Sequence, residues 1–326
     1  MRRNRRAGSQ ALDGMGITAF AEDELEAVHL ATLEVLEQAG VWVEDDGALD
    51  IFADGRCKVD RETHVVKIPP DVVEEAIRRA PATFRLCGRD PANDVPLGGG
   101  RVGFTNFTEG IMMNDLETGE NRPSEKSDVA DTAKCVDAMS EIDVYCLAVG
   151  ARDCPVVPSV HGYEAAIANT SKHIHIPAIS EHEAKTAIEM AAFVAGGKDA
   201  LRERPIVSLG CAPVSPLRLT KEFTDVDLAS ARAGLPTFVV CCAMAGATSP
   251  VTVAGTVGQH NAEVLAGLTM LQLAEPGTKT VYGSSTAGMD LIVGADAVGS
   301  PEMALMGAAF AQLTRYYRLP SFLAGL

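Results

Sequence analysis

The chain is predicted to be an α/β protein of the (β/α)8 TIM-barrel type, lacking its last strand–helix unit and preceded by an N-terminal helical and mixed extension. Three observations predict this. From residue 101 onward, short apolar segments alternate with helical stretches, the rhythm of a barrel or a doubly wound sheet. Those segments are near-continuous apolar runs rather than alternating ones, as in parallel strands covered on both faces. No GxGxxG opens the first unit, so the doubly wound dinucleotide fold loses its usual support.

The extension comes first. AEDELEAVHLATLEVLEQAG (21–40) predicts a helix with Leu25, Val28, Leu33 and Leu36 on one face and Gly40 as its stop. PPDVVEEAIRRAP (69–81) predicts a second, opened by prolines where a missing N–H costs little. VWVED and THVVKI are short β-like pieces between them, and the turn-rich DPANDVPLGGG (90–100) sets the boundary between an extension, 1–100, and a barrel, 101–326.

The expected barrel strands are RVGFTNF (101–107), IDVYCLAVG (142–150), HIHIPAIS (173–180), PIVSLGCA (205–212), LPTFVVCCAMAG (235–246), TKTVYGSS (278–285) and LPSFLAGL (319–326). The last helix opens at Ser300-Pro301-Glu302, an N-cap, a first-turn proline and an acid, and carries Met303, Met306, Phe310, Leu313 and Tyr317 on one face. Seven strands alone would leave two apolar edges unpaired. Either the fold is not a barrel, or the chain is the front portion of a longer product whose further polypeptide closes it.

Composition narrows the function. A formal charge of −16 argues against nucleic-acid binding. The basic start, MRRNRRAGSQ, is not followed by the apolar core of a signal peptide and reads as a tail. The uncharged run Leu235–Gln259 is broken by Pro236, Gly246, Pro250 and Gly255, so it reads as a strand entering a loop and not as a membrane span. The eight cysteines form no CxxC pair, and reduced thiols in the cytoplasm are expected.

A barrel carries its chemistry at the C-terminal ends of its strands. The polar groups there are Asn106, Thr108 and Glu109 after the first strand, Glu181 and His182 after the third, and Ser215 after the fourth. Thr248, Ser249 and Gln259 follow the fifth, and Ser284, Ser285 and Asp290 the sixth. Glu181 stands out because it directly follows a buried strand, although an acid at that place also suits a helix N-terminus. His173 and His175, at i and i+2, would face one way on a strand, the geometry of two metal ligands in a metal-dependent barrel hydrolase. They lie before the strand's end and lack a third ligand, which favours structural histidines, and no metal is assigned. The loops GCAPVSPL, AMAGATSPVTVAG and YGSSTAGMDLIVGADAVGSPE are built of small residues, over which a bulky flat partner can approach closely.

YGSSTAGMDLIVGADAVGSPE followed by LPSFLAG, with GATSPVTVAGTVGQHNAEVLAG and GFTNFTEG upstream, resembles the trimethylamine methyltransferase family, which also holds glycine betaine methyltransferases. The resemblance spans essentially the whole chain. It implies a barrel that passes a methyl group from a methylated amine to the Co(I) centre of a separate corrinoid protein, with no cofactor bound by this chain. It also implies that the residue after Leu326 is pyrrolysine, encoded by an amber codon and carrying an electrophilic imine, which favours trimethylamine over betaine. On that footing Glu181 is the candidate for tuning protonation in catalysis. Asn106, Glu109, Phe104, Tyr282, Gln259 and Ser284 are candidates for holding the substrate, with Phe107 as a further aromatic. Ser215, Thr248, Ser249 and Ser285 belong to loops facing the corrinoid partner. A homo-oligomer is expected.

Overall fold

The computed structural model describes residues 17–108 and 110–324. Glu109 and the basic segment at the start, both singled out above, lie outside the described residues. Helix α1 (Glu22–Glu34) runs into a π-helical turn, Val35–Ala39, and stops at Gly40. The stop is enforced by φ of 78° and by Val66 O, only 2.4 Å from where a Cβ would stand. Val41–Val43, Val65–Lys67 and Lys58–Asp60 then form a small antiparallel sheet. Helix α2 (Asp46–Asp54) is capped by Asp45, which accepts from Ala48 N, and α3 (Pro70–Arg79) opens on its prolines.

Six parallel strands follow one another across the main sheet in chain order. They are β1 (Val144–Cys146), β2 (His173–Pro177), β3 (Val207–Gly210), β4 (Thr237–Cys241), β5 (Thr280–Ser284) and β6 (Ser321–Leu323). Helices α4 (Lys126–Ala138), α5 (Pro158–Asn169), α6 (Glu181–Ala195), α7 (Lys198–Glu203), α8 (Lys221–Ala233), α9 (Val253–Ala274) and α10 (Pro301–Tyr317) alternate with them. The sheet curls into a half-barrel: the Phe322 ring on β6 comes within 5.9 Å of His175 on β2 and 5.5 Å of Phe238 on β4.

Two features differ from the expectation. The stretch 101–107 does not form a seventh strand; it makes a single parallel bridge, Thr105 to Val144. The side chain of Asn106 takes over the pairing, its Oδ1 accepting from Cys146 N (3.0 Å) and its Nδ2 donating to Cys146 O (2.7 Å). A side-chain amide that makes both bonds removes the backbone's need to lie extended along β1. Second, the segment around 90–100 supplies structure as well as a turn: Phe84–Leu86 and Val95–Leu97 pair as a hairpin. Leu86 packs with Val144, Phe238 and Val281 as the floor of the concave face.

Helix α9 explains how the extension is attached. Its only charged residue is Glu263, and it is buried on nearly every side, the pattern of a helix enclosed by other elements. The sheet covers one side through Val239 and Tyr282, and the extension covers the rest through Leu36, Leu49, Phe52 and Val73 in the same apolar cluster. Arg218–Leu219, from the loop after β3, also pairs in parallel with Val41–Val43.

Candidate functional site

The loops at the C-terminal ends of β3, β4 and β5 are joined into one surface, and the join begins behind them, at Glu263. This carboxylate is buried on α9 and accepts four donors. Ser215 Oγ (2.6 Å) and Cys241 Sγ (2.8 Å) reach Oε2, while Leu217 N and Gln259 Nε2 (both 2.9 Å) reach Oε1. Burial, then the neighbouring Glu263 charge, pushes the Cys241 thiol well above its ordinary value, so it stays protonated and donates. Gln259 also donates to Thr248 O (2.9 Å), and Met244 N donates to Thr248 Oγ1 (2.9 Å). Ser249 Oγ meets Thr256 Oγ1 at 3.0 Å. Thus Ser215, Gln259 and, through Gln259, Thr248 are linked by one acid that periodicity alone did not single out, while Ser249 is tied to Thr256. The available signal was that acid's isolation in a helix otherwise free of charge.

The loop after β5 is tied to the loop after β4 by a short parallel ladder, Met244 with Ala287 and Ala245 with Gly288. Ser285 N donates to Cys241 O (3.0 Å), and Ala243 N to Thr286 Oγ1 (3.1 Å). A hairpin then projects, with Asp290 Oδ1 accepting from Ile292 N (2.8 Å) to turn its tip. Leu291, Ile292 and Val293 at that tip are exposed, Ile292 by 95%.

Other expected residues lie elsewhere. Tyr282 faces the helices, not the mouth: it is fully buried and its hydroxyl bonds Asn261 Oδ1 and His260 Nδ1, both at 3.1 Å. Ser284 is buried, and its Oγ accepts from Thr286 N. Glu181 is the first residue of α6, half-exposed and paired with Lys185 (2.7 Å), which holds its carboxyl below the usual range. It lines an outer groove between α6 and α8, together with Lys185, Arg202, Asp225 and Arg232. Phe104 and Phe107 are exposed beside β1.

The two histidines do share a face, as i, i+2 spacing on a strand requires, but they are joined to Ser208 on β3. His173 uses both nitrogens, Nδ1 on Cys87 O and Nε2 on Ser208 Oγ, each at 3.0 Å. His175 Nδ1 lies 3.2 Å from the same hydroxyl. Burial lowers His173 to about 4 and His175 to about 3, so both rings are neutral. Among the described residues no group of three or more His, Cys, Asp or Glu could hold a metal ion. Nor is any described helix long and apolar enough to cross a membrane.

Residues 9–326 match the trimethylamine methyltransferase (MTTB) family. The chain is 44% identical over 320 residues to a trimethylamine methyltransferase of Desulfitobacterium hafniense, covering 98% of this chain and 64% of that protein. It is 43% identical over 325 residues to one from Methanosarcina acetivorans, covering 98% and 66%. To a glycine betaine methyltransferase of Desulfitobacterium hafniense it is 32% identical over 304 residues, covering 93% and 63%. The chain thus spans just under two-thirds of the length of these relatives. Among solved structures, the monomethylamine methyltransferase of Methanosarcina barkeri superposes with a TM-score of 0.54 at 13% identity, over 97% of this chain and 70% of that one, a likeness of fold.

Proposed function

The chain belongs to the trimethylamine methyltransferase family, and from this premise we propose that the protein moves a methyl group from trimethylamine to the Co(I) centre of a separate corrinoid protein. The observation that carries the choice of substrate is the 44% identity to a trimethylamine methyltransferase, against 32% to a glycine betaine methyltransferase. The corrinoid, held by the partner, supplies a strongly nucleophilic metal. The task left to this chain is to hold one N-methyl carbon in line and to keep water away, which is positioning work. The C–N bond breaks with its electron pair going to nitrogen, and the amine departs with one methyl fewer.

The concave face suits such a substrate. Phe238 and Phe322 offer aromatic faces to a small cation, with Phe104 and Phe107 further out beside β1. The loops held by Glu263 present Val214, Val251 and the Leu291–Val293 tip outward, an apolar rim on which a flat partner can seat. Ser215, Thr248, Ser249 and Ser285 shape that rim through their bonds to Glu263, Met244, Thr256 and Cys241. Glu181, on the outer face, takes no part in this proposal. A cytoplasmic location and a homo-oligomeric state complete it.

The test follows the corrinoid protein's absorbance after adding trimethylamine or glycine betaine to the enzyme and its Co(I) partner. Conversion with trimethylamine is expected. Conversion with glycine betaine alone would overturn the substrate choice.

A further inference from the structure

We propose that His175 selects an amine bearing an N–H over a quaternary ammonium, by presenting Nε2 as a hydrogen-bond acceptor on the concave face beside Phe238 and Phe322. The inference rests on the methylated-amine reading above and deepens it, and it begins with one carbonyl. Cys87 O can only accept, so His173 Nδ1, 3.0 Å away, carries a proton. In a neutral ring His173 Nε2 is then an acceptor, and the Ser208 hydroxyl at 3.0 Å must donate to it. The Ser208 oxygen is left to accept from His175 Nδ1 at 3.2 Å. That fixes the proton of His175 on Nδ1 and the lone pair on Nε2.

Nε2 is the ring atom remote from Cβ, and the His175 ring lies on the concave side, 4.3 Å from Phe238 and 5.9 Å from Phe322. No described residue hydrogen-bonds it. Burial, which keeps both rings neutral, preserves the relay.

An aliphatic tertiary amine is protonated near neutral pH, as a lysine amine is. It carries one N–H and three methyl groups. The N–H meets Nε2, and the methyls lie against the phenylalanine faces. A quaternary ammonium keeps the aromatic contacts but would cover that lone pair without giving it a donor, which costs affinity.

The experiment titrates the full chain at pH 7 with trimethylammonium and tetramethylammonium chloride by calorimetry, and assigns the imidazole tautomers by nitrogen-15 NMR. The expected result is at least a tenfold preference for trimethylammonium, about 1.4 kcal/mol, with the His175 proton on Nδ1 and its Nε2 resonance shifting on binding. H175F should bring the two cations to within about twofold of each other, by removing both the N–H partner of trimethylammonium and the unpaired lone pair that penalises tetramethylammonium. Should H175F fail to fold, S208A, which removes the donor that orders the relay, is expected to weaken the preference. A preference intact in these variants, or a proton on Nε2 in the wild type, overturns the proposal. Equal binding of both cations sinks this inference and leaves the methyltransferase reading standing, whereas binding of neither removes both.

Discussion

Ser215 donates its hydroxyl to Glu263 Oε2 across 2.6 Å, joining the loop after β3 to the middle of α9. The same carboxylate holds Cys241, Leu217 and Gln259, and through Gln259 it reaches Thr248 in the next loop. One buried acid therefore sets the relative position of two loops at the mouth.

Glu263→Gln is the sharpest test of that arrangement. A glutamine is the same size but must place an NH2 against at least one of the four donors. A loss of about 3 kcal/mol is expected in urea unfolding, with Ser215→Ala costing about half as much. A Glu263→Gln protein as stable as the wild type would show that the loops are held by something else.

Stability should fall with acid well before the carboxylates titrate. His173, His175 and His260 are buried and lowered from 6.5 to about 4, 3 and 3 by burial. In each case the unfolded chain binds a proton that the folded chain refuses, so the stabilising contribution is complete above about pH 6.5 and is lost as pH falls toward 4. Each histidine contributes a slope of up to about 1.4 kcal/mol per pH unit. His260 stacks on Phe310 at 3.9 Å, so His260→Phe keeps the packing. Urea midpoints between pH 7 and 4.5 should show one proton's worth of slope removed in that variant.

Asp227 has the opposite sign. It is fully buried, its Oδ1 accepts from Cys211 N, and Oδ2 has no partner among the described residues. Burial raises its carboxyl well above the ordinary value, so the folded chain keeps a proton that the unfolded chain loses above about pH 4. The proton's contribution is present at low pH and lost as pH rises. Asp227→Asn keeps the acceptor and should match the wild type near pH 4.5 and exceed its stability at pH 8. An asparagine variant that is less stable at pH 8 would refute this.

The thiols divide by burial. Cys135 and Cys242 are exposed, while Cys87, Cys146 and Cys241 are buried, with burial pushing Cys146 up to about 12. Brief alkylation of the folded chain followed by peptide mass mapping should label Cys135 and Cys242 and spare the buried three. Labelling of Cys241 would mean that the Glu263 cluster opens in solution.

Much of the fold was legible because it depends on local signals. Gly40 stops α1 and Ser300-Pro301 opens α10, each a terminus written in two or three residues. The apolar runs at 173–177, 207–210 and 237–241 became parallel strands because both faces are covered. The stretch 101–107 has an equally apolar look but lost its strand to Asn106, whose amide competes with the backbone for Cys146, and periodicity carries no information about such competition. Tyr282 was expected to hold the substrate as an aromatic on the sixth strand, yet a one-residue change of face points it at His260 and Asn261. Glu263 lay hidden in a helix that reads as apolar, since its donors come from residues 4 to 48 positions away.

The central claim is a methyl transfer from trimethylamine, and its most direct measurement is the amount of dimethylamine released when the enzyme and a Co(I) corrinoid protein meet carbon-13-labelled trimethylamine. One labelled dimethylamine for each methyl group gained by the corrinoid protein is the predicted result. Methyl gain without dimethylamine, or no methyl gain from trimethylamine, would contradict it.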